Sequence, residues 1–179
     1  MDGVDLSETP VQLKRLAILY EVVEALGDVG KTQLQKTLYL LQEAYGVPSR
    51  YAFRMHHYGP YSEDLDTDMT RLKMTGYLSI KSDVQGYGFH VEVSDKPEQN
   101  WSALVLPYRQ QINAALELVR DRTPSQLELM ATLHFVDRLL GNPDDRHLIE
   151  TVHSLKPKFP PEYINSLRQE LIDADLLGR

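Results

Sequence analysis

The chain has 179 residues, 42% hydrophobic and 25% charged, which suits one domain or two small ones around a real core. It has no cysteine, which excludes disulfide frameworks, thiolate metal sites and cysteine nucleophiles. The net charge of −7 sits mostly in the first half: up to Glu98, 10 Lys and Arg against 15 Asp and Glu give −5, and 9 against 11 beyond it give −2.

Nucleic-acid affinity draws on clustered cations that neutralise phosphates, and no such cluster is visible. The opening Met1-Asp2-Gly3-Val4-Asp5 is acidic and lacks an apolar run, so no signal peptide is expected. No stretch approaches the length of a membrane span, and a soluble cytoplasmic protein is the expectation.

Apolar positions at Leu16, Leu19, Tyr20, Val23 and Leu26 repeat at three-and-four spacing and predict a helix over 10–26, stopped by Gly27. Leu34, Leu38, Leu41 and Tyr45 predict a second over 31–45, closed by Gly46-Val47-Pro48. Tyr51 to His56 alternates and reads as a short strand, after which Gly59-Pro60 turns the chain into a third helix. Ser62 is its expected cap, Glu63 and Asp64 suit the positive end of its dipole, and Leu65, Met69 and Leu72 form its core face. Gly76 ends it. A ribbon follows at 77–94, with glycines 86 and 88 at the tip and Phe89, Val91 and Val93 alternating on the return.

Lys96 to Asn100 is the best candidate boundary, and the rest reads as helical. One helix runs from Ser102 with Tyr108, Ile112, Ala115 and Val119. Thr123-Pro124-Ser125-Gln126 signals the start of another, and Leu127–Leu140 is apolar on almost every face, as a central buried helix would be. Asn142-Pro143 and Lys156-Pro157 bracket a short helix, and a last one starts at Pro161. The fold expected is α+β and mostly helical: a winged helix-turn-helix over 8–96 with a helical subdomain over 101–179 packed on it.

No constellation reads as an active site. Adjacent strand residues point to opposite faces, so His56 and His57 do not converge with His90 on one ion. Glu63, Asp64, Asp66 and Asp68 fan around a helix without the glycine of a calcium loop. Phosphate-cradling loops and serine elbows are absent. The expectation is a non-enzymatic chain with no catalytic activity of its own, no catalytic residues, no metal and no cofactor.

The helix that would enter a DNA groove in such a fold begins with acids, and groove-reading helices contact bases through their N-terminal residues. Lys31, Lys36, Arg54, Arg71, Lys73 and Lys81 are the candidate nucleic-acid contacts, should the chain be a DNA-binding transcriptional regulator. The favoured alternative is a protein-interaction module whose surface comprises Tyr58, Tyr61, Glu63, Asp64, Asp68 and Tyr87, because acids rimmed by tyrosines suit a basic protein. A protein partner is expected, nucleic acid is the alternative, a membrane is not, and homo-oligomerisation is left open.

Lys31-Thr-Gln-Leu-Gln-Lys-Thr-Leu-Tyr-Leu-Leu followed by His57-Tyr-Gly-Pro-Tyr-Ser resembles the YwgA-like family of small, uncharacterised prokaryotic proteins. That likeness takes in Gly76-Tyr77-Leu78, Leu127 to Leu133 and Leu155 to Phe159. A looser resemblance over 31–80 to the SocA-like (Panacea) antitoxin domain implies binding of a partner protein, either neutralising a toxin or presenting it for proteolysis.

Overall fold

The computed structural model describes residues 10–83, 88–94 and 101–178. Helix α1 (Val11–Leu26) stops at Gly27, whose φ of 74° suits a residue without a Cβ. A two-residue strand β1 (Val29–Gly30) leads directly into α2 (Lys31–Glu43). Strands β2 (Arg54–His56) and β3 (Gly59–Tyr61) form a small antiparallel hairpin. The expected turn at Gly59-Pro60 is therefore displaced: the chain reverses at His57-Tyr58, and Gly59 and Pro60 lie in the returning strand.

Ser62 caps α3 (Glu63–Met74), its Oγ accepting from the Leu65 N–H at 3.4 Å. Strands β4 (Leu78–Ser82) and β5 (Phe89–Val93) pair antiparallel, and β1 adds to the far edge of β5, giving the order β1-β5-β4. Val91 opposes Val29 on one side and Ile80 on the other, so register brings three β-branched residues together. Strand β1 is too short for any alternating pattern to reveal it.

The helix expected from Ser102 is split into α4 (Ser102–Val105), a 3₁₀ turn over Leu106–Tyr108 and α5 (Arg109–Val119). Pro107 accounts for the break, since it lacks the N–H that a continuous helix needs. Thr123 and Gln126 close a capping box on α6 (Pro124–Leu140). Two more helices, α7 (Asp145–Leu155) and α8 (Pro161–Asp173), complete an α+β architecture that is mostly helical. Among the described residues no helix is long and apolar enough to cross a membrane.

Helix α2 ties the molecule together. Its Leu34, Leu38 and Leu41 enter one core with Ile18, Val22, Met69, Val91, Trp101, Ile112 and Leu116. Its Tyr39 and Leu40 enter another with Val119, Leu127 and Ala131. A third core joins Leu133 of α6 to Val152 of α7 and Leu167 of α8. Trp101, Ile112 and Leu116 belong to the first of these, beside residues of α1 and α2. Helix α6 is buried over Leu127–His134, as its apolar run implies, but Leu139 emerges 72% exposed.

A buried polar contact joins α2 to α6. The Tyr39 hydroxyl is 2.9 Å from His134 Nδ1, both groups are buried, and burial pushes the His134 pKa down to about 4. With the ring neutral, Tyr39 donates and Nδ1 accepts. An unfolded histidine takes its proton near pH 6.5 whereas the folded one resists it, so stability is full above about pH 6.5 and falls as pH drops towards 4. The depression corresponds to a loss on the order of 3 kcal/mol at most. Urea unfolding across this window should show the decline, and His134→Gln should flatten it; an unchanged slope would mean the ring is charged in the native protein.

Candidate functional site

The β2–β3 hairpin and the α3 start form the surface on which most candidate residues gather. Two consecutive residues of α2 hold the hairpin. Gln35 brackets Ser62, its Nε2 donating to the Ser62 carbonyl and its Oε1 accepting from the Ser62 N–H, both at 2.9 Å. Lys36 reaches past it, and its Nζ donates to the Pro60 carbonyl at 2.6 Å. From the opposite side Lys156 donates to the His57 carbonyl. A Cβ on Gly59 would meet Thr132 Oγ1 at 3.0 Å and the Glu128 carbonyl at 3.4 Å, and φ there is 88°. Glycine is required at that position because α6 passes directly against it.

Below the hairpin, Glu128 is paired through one oxygen with Lys156 at 2.8 Å and through the other with Lys158 at 2.7 Å. Burial raises the Glu128 pKa, but these two lysines outweigh it and the net shift is downward. Two cavities flank the hairpin. One of about 280 Å³ is lined by residues including Arg54, His56, Tyr61, Glu63 and Asp64. The other, about 320 Å³, lies over α2 and is lined by Lys31, Thr32, Lys36, Tyr58, Tyr61 and Asp66 among others.

Of the candidate interaction surface, Tyr58 is 55% exposed, Glu63 and Asp64 are exposed, and Tyr61 is half-buried with its ring 5.4 Å from that of His56. Tyr87 lies outside the described residues. Asp68 does not belong to this surface. It is wholly buried, paired with Arg15 at 2.6 Å and Arg71 at 2.9 Å, and it accepts from the Tyr51 hydroxyl at 3.3 Å. The helical period places it on the Leu65–Leu72 side of α3, where a carboxylate is tolerated only with cations beside it.

The candidate nucleic-acid contacts fare unevenly. Lys36 is 2% exposed, which removes it from any groove-facing surface. Lys31 pairs with Asp66 at 2.5 Å, Arg71 with the buried Asp68, and Lys81 with Glu92 across the ribbon. Arg54 and Lys73 are exposed. The histidines do not form one group: His90 Nδ1 is 2.9 Å from Asp28 Oδ1, while His57 stacks edgewise on Tyr58. Among the described residues no three His, Asp or Glu side chains gather to hold a metal.

Sequence reasoning missed Arg15, Glu128, Lys156 and Lys158. Each is a charged residue whose partner lies far along the chain or on another helix, so no local spacing signals it.

No protein-family model matches the chain. It is 30% identical over 159 residues to a protein of Thermus aquaticus (strain ATCC BAA-2747 / Y51MC23) named DNA ADP-ribosyl glycohydrolase. That match covers 82% of the chain but 42% of the Thermus protein, so the chain spans less than half the length of this relative. It is 26% identical over 151 residues to the uncharacterised protein YwgA of Bacillus subtilis (strain 168), covering 82% of the chain and 86% of YwgA. The second likeness supports a YwgA-like family. The first corrects the expectation of a chain with no catalytic activity of its own, because that relative is by name an enzyme, though the match is distant and partial.

The placement of the acids has a direct consequence for stability. Asp68→Ala leaves two arginines facing a buried gap and should cost about 3–5 kcal/mol. Asp64→Ala, at an exposed site, should change stability by no more than about 0.5 kcal/mol. Chemical denaturation of the two variants checks this, and equal effects would contradict the buried ion-pair network.

Proposed function

We propose that this chain is a protein-interaction module, antitoxin-like, adaptor or regulatory subunit, that works with a DNA ADP-ribosyl glycohydrolase activity. One observation carries the reading. Of the six candidate nucleic-acid cations, Lys31, Arg71 and Lys81 pair with carboxylates and Lys36 is buried, whereas Glu63 and Asp64 are exposed beside Tyr58 and Tyr61. A surface on which most candidate cations are paired or buried while its acids are exposed favours a basic protein over phosphates. The name of the Thermus relative supplies the biochemical setting. The looser SocA-like resemblance over 31–80 supports a partner-binding role.

The finer fold reading supports the same surface. The order α1, β1, α2, α3, β4, β5, with β1 added to the returning strand β5, is consistent with a winged helix over 8–96. In that reading α3 stands where a DNA-binding relative would present its recognition helix. Its exposed first turn offers Glu63 and Asp64. The DNA-binding regulator reading rests on this topology alone, and topology is not a site.

The test compares wild type with Glu63→Lys/Asp64→Lys, a pair that leaves buried Asp68 untouched. Reversing two rim charges should reduce capture of a basic partner roughly tenfold, chiefly through slower association at low salt. A fluorescent duplex DNA titration runs alongside. Wild-type binding to duplex that falls steeply with salt, and that Arg54→Ala/Lys73→Ala abolishes, would replace the protein-interface reading with the DNA one.

A further inference from the structure

We infer that the cavity over α2 is an oxyanion site, built to take the phosphate group of a small ligand against Lys36 and Lys31. The argument begins with an imbalance of buried charge. Lys36 and Lys156 are 2% and 5% exposed, and half-exposed Lys158 joins them around one buried carboxylate, Glu128. Both oxygens of Glu128 are occupied by Lys156 and Lys158. Among the described residues no carboxylate pairs with Lys36, whose amine donates to a single carbonyl, that of Pro60. A buried ammonium with three donors and one acceptor is costly unless something else neutralises it.

The place left for that neutralising group is the cavity itself. Lys36 lines this space of about 320 Å³. Lys31 and Thr32, in the first turn of α2, line the same space, where the leading N–H groups of a helix also favour an anion. Asp66 is the carboxylate among the lining residues, and Lys31 already holds it at 2.5 Å. Tyr58, Tyr61 and His56 provide flat faces along the rim for the remainder of a ligand. Burial and the neighbouring Lys156 bring the Lys36 pKa down to about 8 against the pull of Glu128, so the amine still carries its proton near neutrality. Glu63 and Asp64 of the protein-interface proposal line the other cavity, while Tyr58 and Tyr61 belong to both surfaces.

Sulfate is the probe, because its charge does not change between neutral and alkaline pH. Titrated into the ¹⁵N-labelled full chain at constant ionic strength, it should give saturable shifts centred on Lys31, Thr32, Lys36 and Gly59. Affinity should fall at least about tenfold between about pH 7 and pH 9.5, as a group of pKa 8 loses its proton. Lys36→Met should abolish the saturable component. Should that variant not fold, Lys31→Ala, at the half-exposed mouth, should weaken binding several-fold with the spectrum otherwise unchanged. No saturable shift, shifts scattered over surface lysines, or equal affinity at both pH values would overturn the assignment and leave an adventitious ion only.

Discussion

The molecule depends on how the backbone carbonyls of a tight hairpin packed on α2 and α6 are satisfied. Strand β3 packs against both α2 and α6 with Gly59 and Pro60 buried, and a buried backbone carbonyl without a donor costs on the order of 1–3 kcal/mol. Lysines supply the donors: Lys36 to Pro60 from one side and Lys156 to His57 from the other. The choice of lysine follows from reach, since its four-carbon stem crosses the apolar layer before presenting the amine. Each lysine brings a charge with it, and Glu128 on α6 answers that of Lys156. Gly59 completes the arrangement by keeping the hairpin backbone against Thr132. Substituting any member removes a partner from the others, so these effects will not be additive.

This explains why the Lys-Leu-Gln-Lys-like helix and the Tyr-Gly-Pro turn occur together. Gln35 and Lys36 are successive residues of α2, and their targets, Ser62 and Pro60, lie two apart at the end of one extended segment. An apolar helix with two polar residues aimed at one strand fixes both the position and the register of that strand. The motif is in the first place a docking device between α2 and the segment that leads from β3 into α3. Any binding function of the adjoining cavity rests on the same residues.

Much of the fold was legible because its signals are local. The caps at Ser62 and Thr123, the glycine after α1 and the alternating ribbon each declare themselves within a few residues. Strand β1 was not legible, since two residues carry no periodicity and only pairing with β5 defines it. The break at Pro107 could have been read from the proline alone. The site was harder. Periodicity over α3 marks Leu65, Met69 and Leu72, and the same wheel puts Asp68 among them, yet a carboxylate in a core is credible only once Arg15 is known to face it. Lys36 likewise looks like a surface cation until α6 covers it.

The charge of the first half therefore divides into two populations with different meanings. Asp68 and Lys36 are internal; their charges fix geometry, and net-charge arithmetic counts them as if they faced solvent. Removing them, together with the pairs Lys31–Asp66 and Lys81–Glu92, leaves the exposed start of α3 acidic with Arg54 and Lys73 as its nearby exposed cations. A uniform −5 would repel phosphates everywhere, whereas this distribution places acids on the rim and an unmatched ammonium in the cavity over α2. The two features select opposite charges a short distance apart on one hairpin. A basic macromolecule approaching the rim and a small anion entering the cavity are thus compatible, and the lysines that build the fold decide the second.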